Sequence, residues 1–129
     1  RRQRQMCIRD RCDNNTFYNY IYFSSFIFDC LSWSGGNTHL EALAFDKPII
    51  TMEGKSLKQN HTFGFLKRIR QDNLITSNER DYINKILEFS KSKNLIKVST
   101  EEISNNKNLL FKDMECIKSL ENSLIKNLF

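Results

Sequence analysis

The chain has 129 residues, 40% of them hydrophobic, which allows one modest domain with a buried core. No apolar run approaches the ~20 residues of a membrane helix and no secretory leader is recognisable, so a cytoplasmic location without membrane association is expected. The formal charge is +5, but five arginines against one aspartate in residues 1–11 supply four of those charges, and the +1 that remains gives no reason to expect a nucleic-acid partner.

Residues 1–11 stand apart from the rest. The string Arg1-Arg2-Gln3-Arg4-Gln5-Met6-Cys7-Ile8-Arg9-Asp10 has neither apolar period nor turn logic. It resembles the in-frame translation of a transposase adapter used in sequencing libraries, with Arg11 straddling the junction. It is therefore set aside as non-native, and residues 12–129 are taken as the domain. The competing reading is a basic, nucleic-acid-binding arm. Cys7 falls in this segment, and Cys12, Cys30 and Cys116 are too widely spaced for a metal site and too few for a disulfide framework. Reduced thiols are expected.

Residues 16–25 place Phe17, Tyr20, Ile21 and Ser24 on one helical face. Phe26-Ile27-Phe28, unbroken by polar residues, predicts a strand buried on both faces, as in a parallel sheet. After the turn cluster Ser34-Gly35-Gly36-Asn37-Thr38, the residues Leu40, Leu43 and Ala44 recur at helical spacing through Phe45. Residues 48–52 form the second strand, with Pro48 tolerated at its first position. A polar loop over 55–60 leads into a helix over 61–70 with Phe65, Leu66 and Ile69 inward. Leu74-Ile75-Thr76 is the third strand. Ser77 or Asn78 caps the next helix, whose Ile83, Ile86 and Leu87 share a face. Residues 96–108 suggest a helical turn and a loop, and from Phe111 onwards Ile117, Leu120, Leu124 and Leu128 form a helical stripe. Strands alternating with helices predict an α/β fold, about three parallel strands with flanking helices, roughly half of a doubly wound domain.

Asp29 to Glu41 carries the chemistry. A strand runs into a glycine pair and then directly into a helix, and ligands of open α/β sheets bind outside the carboxyl ends of strands. Gly35 and Gly36 lack Cβ atoms, so a phosphate can approach the backbone. The helix start offers unpaired N–H groups and about half a positive charge. Asn37 and Thr38 add side-chain donors, and Glu41, one turn in, suits the two hydroxyls of a ribose. A plainer reading is open: Thr38-His39-Leu40-Glu41 fits a capping box, in which Glu41 only caps its own helix. The Gly-x-Gly-x-x-Gly fingerprint of a dinucleotide oxidoreductase is absent.

The stretch from Asp29 through Trp33-Ser34-Gly35-Gly36-Asn37-Thr38, Leu40-Glu41-Ala42, Pro48-Ile49-Ile50-Thr51 and Gly54 resembles glycosyltransferase family 41, the O-linked N-acetylglucosamine transferases, SPINDLY fucosyltransferases and bacterial relatives. The likeness continues through His61-Thr62, Phe65-Leu66-Lys67, Leu74-Ile75 and Asp81-Tyr82, and more weakly at Leu110-Phe111 and Leu120-Glu121. Trp33 to Glu41 is its specific part.

This resemblance implies the C-terminal part of the donor-binding, Rossmann-like domain of a two-domain GT-B enzyme. It assigns Gly35, Gly36, Asn37 and Thr38 to the donor diphosphate and Glu41 to the ribose, with Lys58 and His61 as further phosphate contacts. The implied donor is UDP-N-acetylglucosamine and the acceptor a protein hydroxyl, reached through regions outside this chain. The implied reaction is an inverting displacement without metal or cofactor, and no catalytic residue is assigned to this chain. A non-catalytic nucleotide-binding or interaction module of the same fold is the alternative. Trp33 could stack on a sugar or base but is expected in the core, and His39 is expected exposed or in a supporting role. Three departures stand out: Lys58, Gln59 and Asn60 where relatives carry arginines, Asp46 where Gly or Asn is usual, and Arg70 where a Gly ends the helix. The last two imply positive φ at a cost of ~1 kcal/mol each.

Overall fold

The computed structural model describes residues 12–128, so the adapter-like segment and Cys7 lie outside the described residues. Helix α1 (Asn14–Phe23) leads to strand β1 (Ile27–Phe28), helix α2 (Asn37–Ala44) and strand β2 (Ile49–Met52). A 3-10 turn (Leu57–Gln59) precedes helix α3 (His61–Arg68), and a second (Asp72–Leu74) precedes strand β3 (Ile75–Thr76). Helices α4 (Glu79–Lys91), α5 (Lys93–Asn106), α6 (Asn108–Phe111) and α7 (Glu115–Leu128) complete the chain.

The strands form one parallel sheet in the order β1-β2-β3, with Ile27 opposite Ile49 and Thr51 opposite Ile75. The crossovers from β1 to β2 and from β2 to β3 each carry a helix, as the alternation in sequence predicts. Ile49, Ile50 and Thr51 of the central strand are buried, and helices α2, α3 and α4 all pack on that strand. The core joins Ile21, Leu43, Ile49, Ile50, Leu66, Ile69, Leu74 and Ile103.

Several faces differ from the periodic reading. Phe28 is 61% exposed, so β1 is not buried on both faces; among the described residues it pairs only with β2. In α1, Phe17 and Ile21 turn inward while Tyr20 faces solvent. The buried face of α2 is His39, Ala42 and Leu43, with Ala44 outside, since His39 is drawn in by polar partners. In α4, Tyr82 and Phe89 are buried and Ile83 and Leu87 exposed. That rotation is set by the Tyr82 hydroxyl reaching the Asp29 carbonyl at 2.5 Å and by Phe89 packing edge-on against Phe26. Residues 93–106 are a full helix rather than a turn and loop; Ser92 caps it and Ile103 is buried. The last expected helix is present but starts at Glu115, since Phe111 closes the short helix α6, and Ile117, Leu120 and Leu124 are exposed.

Asp46 and Arg70 both have φ of 60°, as their departure from glycine implied. Each is the left-handed residue of a Schellman motif: Lys47 N–H donates to Ala42 O (3.0 Å) and Gln71 N–H to Leu66 O (2.8 Å), closing α2 and α3. A salt bridge of 2.7 Å from Lys107 Nζ holds the Asp46 carboxylate.

Candidate functional site

Helices α2 and α3 both start at the carboxyl end of the sheet, α2 after β1 and α3 after β2, and a buried polar cluster joins the two starts. Asp29, 3% exposed, ends β1. Its Oδ2 accepts from Ser34 Oγ at 2.6 Å and Thr51 Oγ1 at 2.8 Å, and its Oδ1 from the Gly35 N–H at 3.0 Å. Thr62, the second residue of α3, donates its N–H to Ser34 Oγ at 3.0 Å, and its hydroxyl lies 2.5 Å from His39 Nδ1. One carboxylate thus ties strand end, glycine turn and second helix start together. A buried carboxylate requires such donors.

His39 is 6% exposed rather than at the surface. Burial lowers its pKa and the nearby Asp29 charge only partly opposes this, which favours the neutral imidazole. Its Nδ1 lies 3.6 Å from Asp29 Oδ1, and its hydrogen-bond partner is the Thr62 hydroxyl. Burial, then the charges of Asp29 and Cys30, pushes the Tyr82 hydroxyl up to about 12, consistent with a neutral phenol donating to the Asp29 carbonyl.

The two glycines do different things. A Cβ on Gly35 would lie 2.6 Å from the His39 ring, and the Gly35 N–H is committed to Asp29, so Gly35 admits the imidazole. A Cβ on Gly36 would meet nothing within 4 Å, so the open space lies there. Gly36 is the N-cap of α2 and no side chain caps the helix. Its carbonyl accepts from His39 and Leu40 N–H, each at 3.1 Å, while no acceptor among the described residues meets the N–H of Asn37 or Thr38. Both of those side chains are exposed.

The capping box does not form: Thr38 lies inside the helix, and Glu41 instead faces α1, accepting from the Tyr18 hydroxyl at 3.4 Å. Lys58 and His61 border the same region. The Lys58 carbonyl accepts from Ser34 N–H at 2.8 Å, and its ammonium lies over the Trp33 ring, 5.8 Å from the centroid. His61 opens α3 half-buried, its Nδ1 buried without a hydrogen-bond partner among the described residues. Asn60 is occupied: its amide bonds both the N–H (2.7 Å) and the carbonyl (2.8 Å) of Gly54, closing the loop. Trp33 is 65% exposed and is not a core residue. Its neighbour Ser34 takes the interior place, because a hydroxyl both donates to the Asp29 carboxylate and accepts the Thr62 N–H there, whereas an indole only donates.

Sequence reading missed Ser34, Thr51, Thr62 and Tyr82 as members of the cluster. The available signal was Asp29 itself, an acidic residue directly after an apolar strand, which must find donors if buried.

No family model matches the chain, and no curated protein matches it. Among solved structures, a mutant of the Thermobaculum terrenum O-GlcNAc transferase matches with a TM-score of 0.73 at 20% sequence identity, over 88% of this chain and 22% of that one. The present chain spans about one fifth of that protein's length. At that identity the likeness concerns architecture: three parallel strands with flanking helices in an α/β arrangement.

Proposed function

We propose that this chain is the donor-binding part of a glycosyltransferase that moves a sugar from a nucleoside diphosphate, UDP-N-acetylglucosamine in the first instance, to a protein hydroxyl. The observation that carries the reading is the bare start of α2: a glycine N-cap facing open space, no side-chain cap, and two N–H groups without acceptors among the described residues. Such a helix start attracts phosphate through its amides and its dipole. The diphosphate then lies on Gly36, Asn37 and Thr38, with Gly35 shaping the turn behind them. Glu41 takes the ribose hydroxyls, and Lys58 and His61 supply donors from the facing side. The helix amides and these side chains offset the leaving-group charge without a metal or cofactor. The base and the acceptor groove belong to regions outside this chain.

A non-catalytic nucleotide-binding module is the second reading. One observation favours it: Asn60 spends its amide on Gly54, so the arginine that relatives place there has no counterpart.

Calorimetric titration with UDP and with 2′,3′-dideoxy-UDP tests the proposal. Binding of UDP, weakened by loss of the ribose hydroxyls in the parent chain but not in Glu41→Ala, is expected. No UDP binding in the millimolar range would sink it. Binding without sugar transfer to hydroxyl-bearing peptides by the full-length protein would select the second reading.

A further inference from the structure

We infer that Trp33 is the donor-sugar platform, a specificity-determining residue whose indole face meets the hexose rather than the base. The inference rests on the proposed diphosphate seat at Gly36–Thr38. Trp33 is the only tryptophan of the chain and is 65% exposed. It stands three residues before the N-cap of α2, whereas Glu41 stands one turn inside that helix. The two also face different elements. Glu41 looks toward α1 through Tyr18, and Trp33 looks toward the 3-10 turn through Lys58. In a nucleotide sugar the ribose and the hexose leave the diphosphate at opposite ends. With the ribose at Glu41, the group that extends toward Trp33 is the hexose.

The indole is also held ready. The next residue, Ser34, is fixed on both sides, its hydroxyl by Asp29 at 2.6 Å and its N–H by the Lys58 carbonyl at 2.8 Å. The Lys58 ammonium lies 5.8 Å from the ring centroid, on one face. With 65% of Trp33 exposed, indole surface remains for the C–H-rich face of a pyranose, whose partial positive charge suits the negative π surface. A platform whose backbone is already ordered loses little entropy on binding.

Because Trp33 is the sole indole, its emission in this chain reports directly on contact. UDP-N-acetylglucosamine is expected to shift Trp33 emission beyond the change that UDP alone causes through Lys58. By calorimetry, Trp33→Ala should leave the UDP Kd within about twofold and raise that of UDP-N-acetylglucosamine about three- to tenfold, the size of an aromatic face contact. Trp33→Phe, which keeps a π face, should recover part of the loss. An emission response equal for both ligands, or a Trp33→Ala change that weakens both equally or neither, overturns the inference while UDP binding stands. Absence of UDP binding to the parent chain overturns the proposed function and this inference together.

Discussion

The Asp29 carboxylate lies 2.6 Å from Ser34 Oγ, and that same Ser34 oxygen accepts the Thr62 N–H at 3.0 Å, so one hydroxyl bridges the end of β1 and the start of α3. Removing the charge should loosen the whole junction. Asp29→Asn keeps the shape but sets amide hydrogens against the donors of Ser34, Thr51 or Gly35. A loss of about 2–3 kcal/mol in urea unfolding is expected, the scale of buried bonds to a charged group. An Asp29→Asn chain as stable as the parent would show that the cluster is not what joins the two helix starts.

The glycines should separate fold from ligand. Gly35→Ala drives a Cβ against the His39 ring, 2.6 Å away, and should destabilise the chain by about 1–3 kcal/mol. Gly36→Ala meets open space, so stability should hardly move, while the added methyl fills the place assigned to phosphate and weakens UDP binding about tenfold. Thermal melts and calorimetry on the two variants check this; the reverse pattern would place the ligand at Gly35.

Arg70, with φ of 60°, ends α3 in a conformation that glycine adopts without strain. Arg70→Gly should raise stability by about 1 kcal/mol. Asp46→Gly relieves the same backbone penalty but loses the 2.7 Å salt bridge to Lys107, so its gain should be smaller. Chemical denaturation of both variants gives the comparison, and a larger gain at Asp46 would contradict the ion pair's contribution.

His39 predicts a pH dependence. Burial lowers its folded pKa below the ordinary imidazole value of 6.5. As pH falls through that value, the unfolded chain takes up a proton that the folded chain refuses, so the unfolded state binds more protons and stability drops. Stability should therefore decline from about pH 7.5 to about pH 5.5, and His39→Gln should flatten that slope. An unchanged slope in His39→Gln would mean the imidazole is not the group responsible.

Tyr82 acts at the other end of the scale. Its pKa is raised from 10.0 to about 12, so its contribution to stability is fully present below pH 10 and is lost as pH rises towards 12. Tyr82→Phe should cost about 1–2 kcal/mol at pH 7 through the lost bond to the Asp29 carbonyl. It should also lose less stability than the parent between pH 10 and 12; equal alkaline loss would assign the transition to other groups.

Local pattern was sufficient for much of this. The alternation of strand and helix and the glycine-opened turn before α2 were readable from neighbouring residues, while the left-handed positions of Asp46 and Arg70 were readable only through the family resemblance. Which residues fill the core was less readable. Ile83 and Leu87 have the period of a buried face, yet Tyr82 and Phe89 hold it, because an Asp29 carbonyl and a Phe26 ring far away in sequence determine the roll of α4. Trp33 was misplaced for the same reason: hydrophobicity argues for the interior, but the interior position at that turn needs a hydroxyl.

By itself the sequence determined where the strands, the turns and most of the helices lie, the helix over 93–106 excepted, since those choices depend on period and backbone freedom over a few residues. Tertiary structure alone decided that Asp29, Ser34, Thr62 and His39 meet, that Gly35 yields its space to an imidazole, and that Gly36 is the residue left open. Contacts between residues 28 apart, such as Ser34 and Thr62, leave no periodic trace. They arise only when the parallel sheet brings two successive helix starts to the same edge.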